Sequence, residues 1–373
     1  KMALKIFHTG DLHIGMKFNN YPEHIKSELV EARFETLENM ILKANEKQCN
    51  LFVIAGDLFD KINIPKRDII RVIGILTKFA GDCVLLIPGN HDYDNGMVEL
   101  WEYFKNNISG NILFLNEYRP YSLRDFDLDV VIYPAYCDSK HSESNRINWI
   151  ANLDQLEKAE WKLGIAHGAL SGLSPDISNK YFNISETELT EIGLDLWLLG
   201  HTHLSYPLKS EVSNRQVFNA GTPEPDGLDC QHGGTAWIIE IDESKNITAE
   251  TIITGKFNFK DLTCMVENKD DLLDIKKELL NNKPERKIVR LSLIGRIEEW
   301  LFNEKGDIYQ ELRKKLAYLD IDDSRLKIRI TKDVIDREFA ENSFPHLVLK
   351  ELAAAEEEDS LQLAYEIIKE VKE

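Results

Sequence analysis

"LLIPGNHDYDNG", residues 85–96, decides the fold. The apolar run Val84-Leu85-Leu86-Ile87 reads as a buried strand that breaks at Pro88-Gly89. It delivers Asn90, His91 and Asp92 together at its carboxyl end. Polar side chains clustered at the end of a core strand are costly to bury unless they hold something.

The same arrangement recurs along the chain. The strand at 3–9 runs into "HTGDLHIG", with Asp11 and His13, and the strand at 51–55 into "AGDLFD", with Asp57. KLGIA (162–166) runs into His167-Gly168, and DLWLL (195–199) into "GHTH", with His201 and His203. Helices are expected near 23–48, 66–80 and 97–107 between the early strands. Further strands are expected at 129–134, 216–219, 235–241 and 247–253. Alternating strands and helices followed by a β-rich stretch predict an α/β domain with a second sheet packed on the first. In open α/β sheets, ligands gather outside the carboxyl ends of the strands.

Carboxylate, carboxamide and imidazole side chains at five strand ends form an oxygen and nitrogen donor set suited to Mn, Fe, Zn or Mg. No cysteine joins them, which disfavours a thiolate zinc site. Seven donors exceed the needs of one tetrahedral ion and suit two, with Asp57 as the carboxylate able to bridge. Taken singly, each motif could be a turn or a loop; five in succession, each with an adjacent glycine, point to one site.

Bulk properties agree with a folded protein. The chain has 373 residues, enough for two domains, and is 43% hydrophobic and 29% charged. No apolar run approaches the ~20 residues of a membrane span. Lys1 precedes Met2 in the manner of a tag remnant, and no signal peptide is expected. Five scattered cysteines without a CxxC pair suggest reduced thiols in a cytoplasm. A net charge of -19 argues against a nonspecific nucleic-acid glue. It leaves room for a nuclease that meets DNA through metals and a local basic surface. Residues 286–332 provide such a surface, with 12 basic and 8 acidic residues.

DxH, GDLFD, GNHD, H-G and GHTH in this order resemble the calcineurin-like metallophosphoesterase superfamily. Within it the chain resembles the SbcD nuclease subunits of bacteria and their archaeal and eukaryotic MRE-eleven counterparts. Lys61 and Asp92 stand where the protein phosphatase branch carries Arg and Glu. Asp60 stands where MRE-eleven relatives often carry His. The resemblance implies a four-layer α-β-β-α core of two packed sheets flanked by helices, with a small α/β capping domain and C-terminal helices. It also implies two divalent ions, with Mn2+ first and Mg2+, Fe2+ or Zn2+ as alternatives. One ion would be held by Asp11, His13, Asp57 and His203, the other by Asp57, Asn90, His167 and His201. His91 would face the phosphate rather than ligate, and water made acidic by the ions would attack phosphorus. Asp92 reads as an orienting residue. The activity implied is a double-strand 3'-5' exonuclease and single-strand or hairpin endonuclease for DNA repair, cytoplasmic and nucleoid-associated. A phosphatase or cyclic-nucleotide phosphodiesterase on the same metal core is the alternative.

The expected domains are 1–254 (nuclease), 255–335 (cap) and 336–373 (helical tail). The cap reads strand (LTCMVE), helix near 270–281, strand at 288–294, helix near 304–318 and strand at 325–330. In RLKIRI, Arg325, Lys327 and Arg329 alternate with apolar residues and share one face. With Lys66 and Arg67 at the start of the second helix, they are the candidate DNA contacts. Apolar residues spread around helices 66–80 and 97–107 (Ile69, Ile70, Val72, Ile73, Ile75, Leu76, Phe79, Met97, Leu100, Trp101, Phe104) suggest a homodimer surface, which the resemblance also implies. In the tail, Leu361, Ala364, Ile368 and Val371 form an amphipathic face widened by Leu363 and Ile367, after the acidic run 356–359. By the resemblance, this tail would bind an SbcC-type, SMC-like ATPase; otherwise it packs on its own cap.

Overall fold

The five-residue runs Leu51–Ala55 and Cys83–Ile87 are buried at every position, as strands must be when both sheet faces are covered. A computed structural model describes residues 3–108, 110–173, 180–355 and 357–372. Its chain divides into two compact units, Lys1–Phe259 and Lys260–Glu373. The division falls inside a strand, a few residues past the expected 254/255 boundary, and the tail helices belong to the same unit as the small sheet.

The first unit begins β1 (Leu4–Thr9), α1 (Glu23–Glu46), β2 (Leu51–Ala55), α2 (Lys66–Leu76), β3 (Cys83–Ile87), α3 (Glu99–Lys105) and β4 (Ile112–Phe114). It continues β5 (Tyr121–Ser122), β6 (Val130–Ala135), α4 (Asn148–Ala151), β7 (Trp161–His167), α5 (Glu186–Glu191) and β8 (Leu196–Gly200). It closes with β9 (Glu211–Ser213), β10 (Val217–Asn219), β11 (Thr235–Ile241) and β12 (Ile247–Ile253). One sheet runs β4-β3-β2-β1-β11-β12-β9 and the other β10-β8-β7-β6-β5. β1 to β4 pair in parallel, whereas β11 joins β1 antiparallel, with Ile6 opposite Ile239. In the second sheet β6, β7, β8 and β10 are parallel.

Alternation of side chains across each strand builds three apolar layers. Leu4, Ile6, Val53 and Leu85 of the first sheet meet Ile132, Leu163, Ile165 and Leu198 of the second. Phe7, Phe52, Ile54 and Leu86 point the other way, to Leu37 and Met40 of α1, Val72 and Leu76 of α2 and Trp101 of α3. The outer face of the second sheet is covered by Ile147, Ile150 and Leu189 from the short helices and their flanks. The core is therefore the four-layer α-β-β-α arrangement.

Packing of α2 and α3 accounts for their wide apolar surface. Ile69, Val72, Ile73, Ile75, Leu76, Phe79, Leu100, Trp101 and Phe104 are buried within the chain's own core, and Trp101 stacks on Phe114 at 4.5 Å. Of the residues expected to face a second copy, Ile70 and Met97 are exposed.

The second unit contains β13 (Asn258–Val266), α6 (Lys269–Leu280), β14 (Lys287–Ile297), α7 (Glu299–Lys315), β15 (Tyr318–Ile328), α8 (Lys332–Glu338), α9 (Phe344–Ala354) and α10 (Glu358–Lys372). The strands form one sheet in the order β13-β14-β15. β15 starts at Tyr318, where a helix end was expected, because Leu319-Asp320-Ile321-Asp322 alternates apolar and acidic residues with period two. The tail helices pack through Leu349 and Leu361 on Val334, Ile335 and Phe339. Leu363, Ile367 and Val371 stay exposed on the opposite side of α10. Glu356, in the acidic run read as the start of that helix, lies outside the described residues.

Ile165 sits fully buried between the two sheets. Ile165→Ala should lower stability by roughly 2–5 kcal/mol. A urea titration should show a lower midpoint at unchanged slope; an unchanged midpoint would contradict this packing.

Candidate metal centre

The strand ends are strained where the donors sit. Asp11, His13, Asp57 and His201 have φ of 52°, 47°, 50° and 98°, in the left-handed region that L-residues avoid. Each such residue costs about 1–3 kcal/mol and persists only where its surroundings over-determine it. Here the loops after β1 and β2 hold one another. Asp11 N donates to Gly56 O at 3.1 Å, His13 N to Asp57 O at 3.0 Å and Ile14 N to Leu58 O at 3.0 Å. Glycines permit the crowding: a Cβ at Gly89 would lie 2.1 Å from Asp57 Oδ1, and one at Gly56 would lie 2.2 Å from His167 Nδ1.

The structure brings the seven expected donors together. Asp11, His13 and His203 form one group and Asp57, His167 and His201 another, with the ligand atoms of each group within 4.8 Å of one another. Asn90 joins the second, its Oδ1 lying 2.9 Å from both His167 Nε2 and His201 Nδ1. Asp57 lies between the groups, with Oδ2 3.4 Å from His167 Nε2 and 3.8 Å from His13 Nε2. His13 Nε2 and His203 Nε2 approach to 3.2 Å. His167 Nδ1 meets the Ala55 carbonyl at 2.8 Å, and His203 Nδ1 meets Asp226 Oδ2 at 3.0 Å. Each of these two outer nitrogens thus has an acceptor, and the inner nitrogens face carboxylate, carboxamide and imidazole acceptors.

Burial of this much negative charge requires positive charge beside it. Burial acts to raise the Asp57 carboxyl, but His167, His13 and His91 outweigh it and hold it well below the usual carboxylate range. Burial acts to lower His167, yet the Asp57 carboxylate raises it to about 9. His203 is raised to about 9 against the effect of burial, chiefly by Asp226. Burial, with His167 nearby, lowers His201 to about 3. Two rings therefore favour protons that divalent cations would displace on binding. Asp11, His13, Asp57, Asn90, His167, His201 and His203 fit such ions in donor type and convergence.

Asp92 does not face the donors. Its Oδ1 accepts Gly89 N at 2.7 Å and its Oδ2 accepts Phe59 N at 2.9 Å, which ties the loop after β3 to the loop after β2. Burial, reinforced by the Asp57 charge, pushes its carboxyl up to about 8. His91 is half-buried at the rim. Its main-chain N donates to Asp57 Oδ1 at 2.8 Å and its Nδ1 meets the Asp60 carbonyl at 3.0 Å, so Nε2 is the ring nitrogen left to meet a substrate. Its ring lies edge-on to His13 at 4.7 Å.

Residues 4–205 match the profile of the calcineurin-like phosphoesterase family. The chain belongs to this family. Calcineurin-like phosphoesterases use a dinuclear divalent metal site, and the two groups above are where this member could build one. The chain is also similar to an uncharacterized metallophosphoesterase of Bacillus subtilis (strain 168), YhaO. The two are 24% identical over 337 residues, covering 86% of this chain and 79% of that protein. Among solved structures, it overlaps TT1561 of Thermus thermophilus at 12% identity and TM-score 0.41, covering 68% of this chain and 100% of that one. A dimetal phosphatase from Danio rerio overlaps at 10% identity and TM-score 0.35, covering 67% and 99%.

Two residues of the centre were not singled out from the sequence. Asp226, in the loop GTPEPDG, contacts His203. Arg33 is buried in α1 and donates from Nη1 to the Leu12 carbonyl at 2.6 Å. A charge on the apolar face that carries Leu29 and Leu37 is the signal that could have found Arg33. The candidate DNA contacts Lys66 and Arg67 lie exposed at the start of α2. Lys66 Nζ lies over the Tyr103 ring at 4.8 Å, and Arg67 pairs with Asp68.

Gly89→Ala tests the crowding without removing a donor. The added methyl should push Asp57 from its place and sharply reduce bound metal, read by elemental analysis of the purified protein. Wild-type metal content in the variant would contradict the geometry.

Proposed function

We propose that this calcineurin-like phosphoesterase is a manganese-dependent DNA phosphodiesterase, the nuclease subunit of an SbcCD-like repair complex. The observation that carries the hydrolase reading is the position of Asp57 between two donor groups, each with two buried members and one partly exposed histidine. In this reading Asp11, His13, Asp57 and His203 hold one ion, and Asp57, Asn90, His167 and His201 the other. Bound ions supply charge neutralisation at the phosphoryl oxygens and acidify water. The chain's own residues do the rest. Asp57 Oδ1 fixes the His91 backbone, and the Asp60 carbonyl fixes its ring. His91 Nε2 then stabilises charge at the leaving oxygen. Asp92 holds the two loops in register from behind.

The extension to DNA is supported by the second unit, where Arg325 and Lys327 are exposed on one face of β15 and Leu326 is buried. Charge neutralisation of phosphates is the main source of DNA affinity. The exposed α10 stripe of Leu363, Ile367 and Val371 suits a helical partner such as an SbcC-type ATPase. Of the apolar residues on and beside α2 and α3 that were expected to face a second copy, Ile70 and Met97 are the exposed ones available to a homodimer.

One observation favours the alternative of a phosphatase or small-substrate phosphodiesterase. Two cations of the small sheet already have acidic partners on α10: Arg296 pairs with Asp359 and Glu358, and Lys327 lies 3.9 Å from Glu366. The Arg329 guanidinium is turned to the main-chain carbonyls of Arg296 and Glu267, at 3.2 and 3.4 Å.

His91→Ala should keep bound metal and fold while losing about 10²–10⁴-fold in turnover. Linear duplex and hairpin DNA, assayed with Mn2+ beside p-nitrophenyl phosphate, separates the two readings. DNA cleavage is the expected outcome; efficient hydrolysis of the monoester with intact DNA would overturn the nuclease reading.

A further inference from the structure

We propose that Asp226 is the positioning residue of His203, fixing which of its ring nitrogens faces the metal centre, and that it does so for one ion of the pair. The inference rests on the reading above that His203 holds an ion. A neutral imidazole has one N–H and one lone pair, and the acceptor on the outer nitrogen decides which faces inward. Asp226 Oδ2 takes the Nδ1 proton of His203 at 3.0 Å, which turns the Nε2 lone pair toward His13 Nε2, 3.2 Å away. Two ring nitrogens at that distance need a proton or a cation between or beside them, and an ion bound there would displace the proton. The negative charge of Asp226 also makes Nε2 a stronger donor to a cation.

The other imidazoles are held differently. His167 Nδ1 is fixed by the Ala55 carbonyl of β2, and His201 Nδ1 faces Asn90. His13 Nδ1 has no hydrogen-bond partner among the described residues. Among these four rings, the described contacts give only His203 a side-chain carboxylate within hydrogen-bonding distance of its outer nitrogen. Asp57, His167, Asn90 and His201 make no contact with Asp226, among the described residues, that would pass its loss to the second group.

The loop that carries Asp226 is anchored without His203's side chain. Thr222 Oγ1 donates to the Asp11 carbonyl at 3.0 Å, and Thr222 N to the His203 carbonyl at 3.2 Å. The Glu224 carboxylate accepts Phe257 N at 2.9 Å, Lys256 N at 2.7 Å and Thr36 Oγ1 at 2.6 Å. Asp226 is thus placed by the fold before any ion binds, as a residue that orients a ligand should be.

The test uses the full chain, stripped of metal and titrated with Mn2+ by calorimetry, with elemental analysis of the loaded protein. Wild type should bind two ions. Asp226→Leu should weaken one of them by roughly 100-fold and Asp226→Asn, which keeps an acceptor but no charge, by roughly 10-fold. The second ion should bind as in wild type, and His203→Ala should weaken the same ion as Asp226→Leu. If Asp226→Leu does not fold, Asp226→Asn decides: one ion weakened supports the assignment, and unchanged affinity overturns it. Variants that bind both ions as wild type does, or lose both together, overturn the proposal alone. A wild-type chain that binds fewer than two ions overturns the metal-centre reading beneath it and the proposal with it.

Discussion

Two carboxylates, Asp11 and Asp57, are buried at the ends of the neighbouring parallel strands β1 and β2, and the centre is organised around their need for positive charge. A carboxylate in such a place either takes up a proton or acquires a cation. Asp11 and Asp57 feel burial to different degrees. Burial raises Asp11 to about 6, whereas the imidazoles around Asp57 overcome burial and keep it ionised. Imidazoles of His167, His201 and His203 come from the ends of β7 and β8 in the second sheet, so the charge compensation is also what joins the two sheets at this rim. Apolar packing between the sheets sets their spacing, and the donors exploit that spacing.

Backbone strain follows from the same constraint. To aim short side chains at one point, Asp11, His13, Asp57 and His201 take left-handed backbone conformations. Main-chain hydrogen bonds between the loops after β1 and β2 hold that strain, and the Asp92 carboxylate adds a clamp to the loop after β3. His201 N donates to both oxygens of Asp11, at 3.0 and 2.9 Å, which carries the clamp across to the second sheet. The donors are therefore preorganised by the fold.

Much of this was legible in the sequence, for a physical reason. Fully buried strands such as Leu51–Ala55 and Cys83–Ile87 are apolar at every position, so polar residues at their ends stand out. Sheet order was not legible: β11 lies beside β1 although more than two hundred residues separate them, and local pattern carries no information about such pairing. Asp226 was hidden because Pro-Asp-Gly is ordinary turn chemistry. The expectation of surplus apolar surface on α2 and α3 treated each helix alone, whereas α1, α3 and the first sheet cover most of it. In the second unit the cation face of β15 was legible by period two. The acidic side chains of α10 that meet the small sheet were not: Glu358 and Asp359, which pair with Arg296 of β14, have a sufficient local explanation in the helix dipole, and Glu366, near Lys327 of β15, reads as an ordinary polar position of an amphipathic helix.

The proposed centre depends on two ions sharing Asp57. Anomalous diffraction from crystals grown with Mn2+ tests this directly. Two peaks about 3.5–4 Å apart, flanking the Asp57 carboxylate, are predicted. A single peak, or none within ligand distance of Asp57, would contradict it.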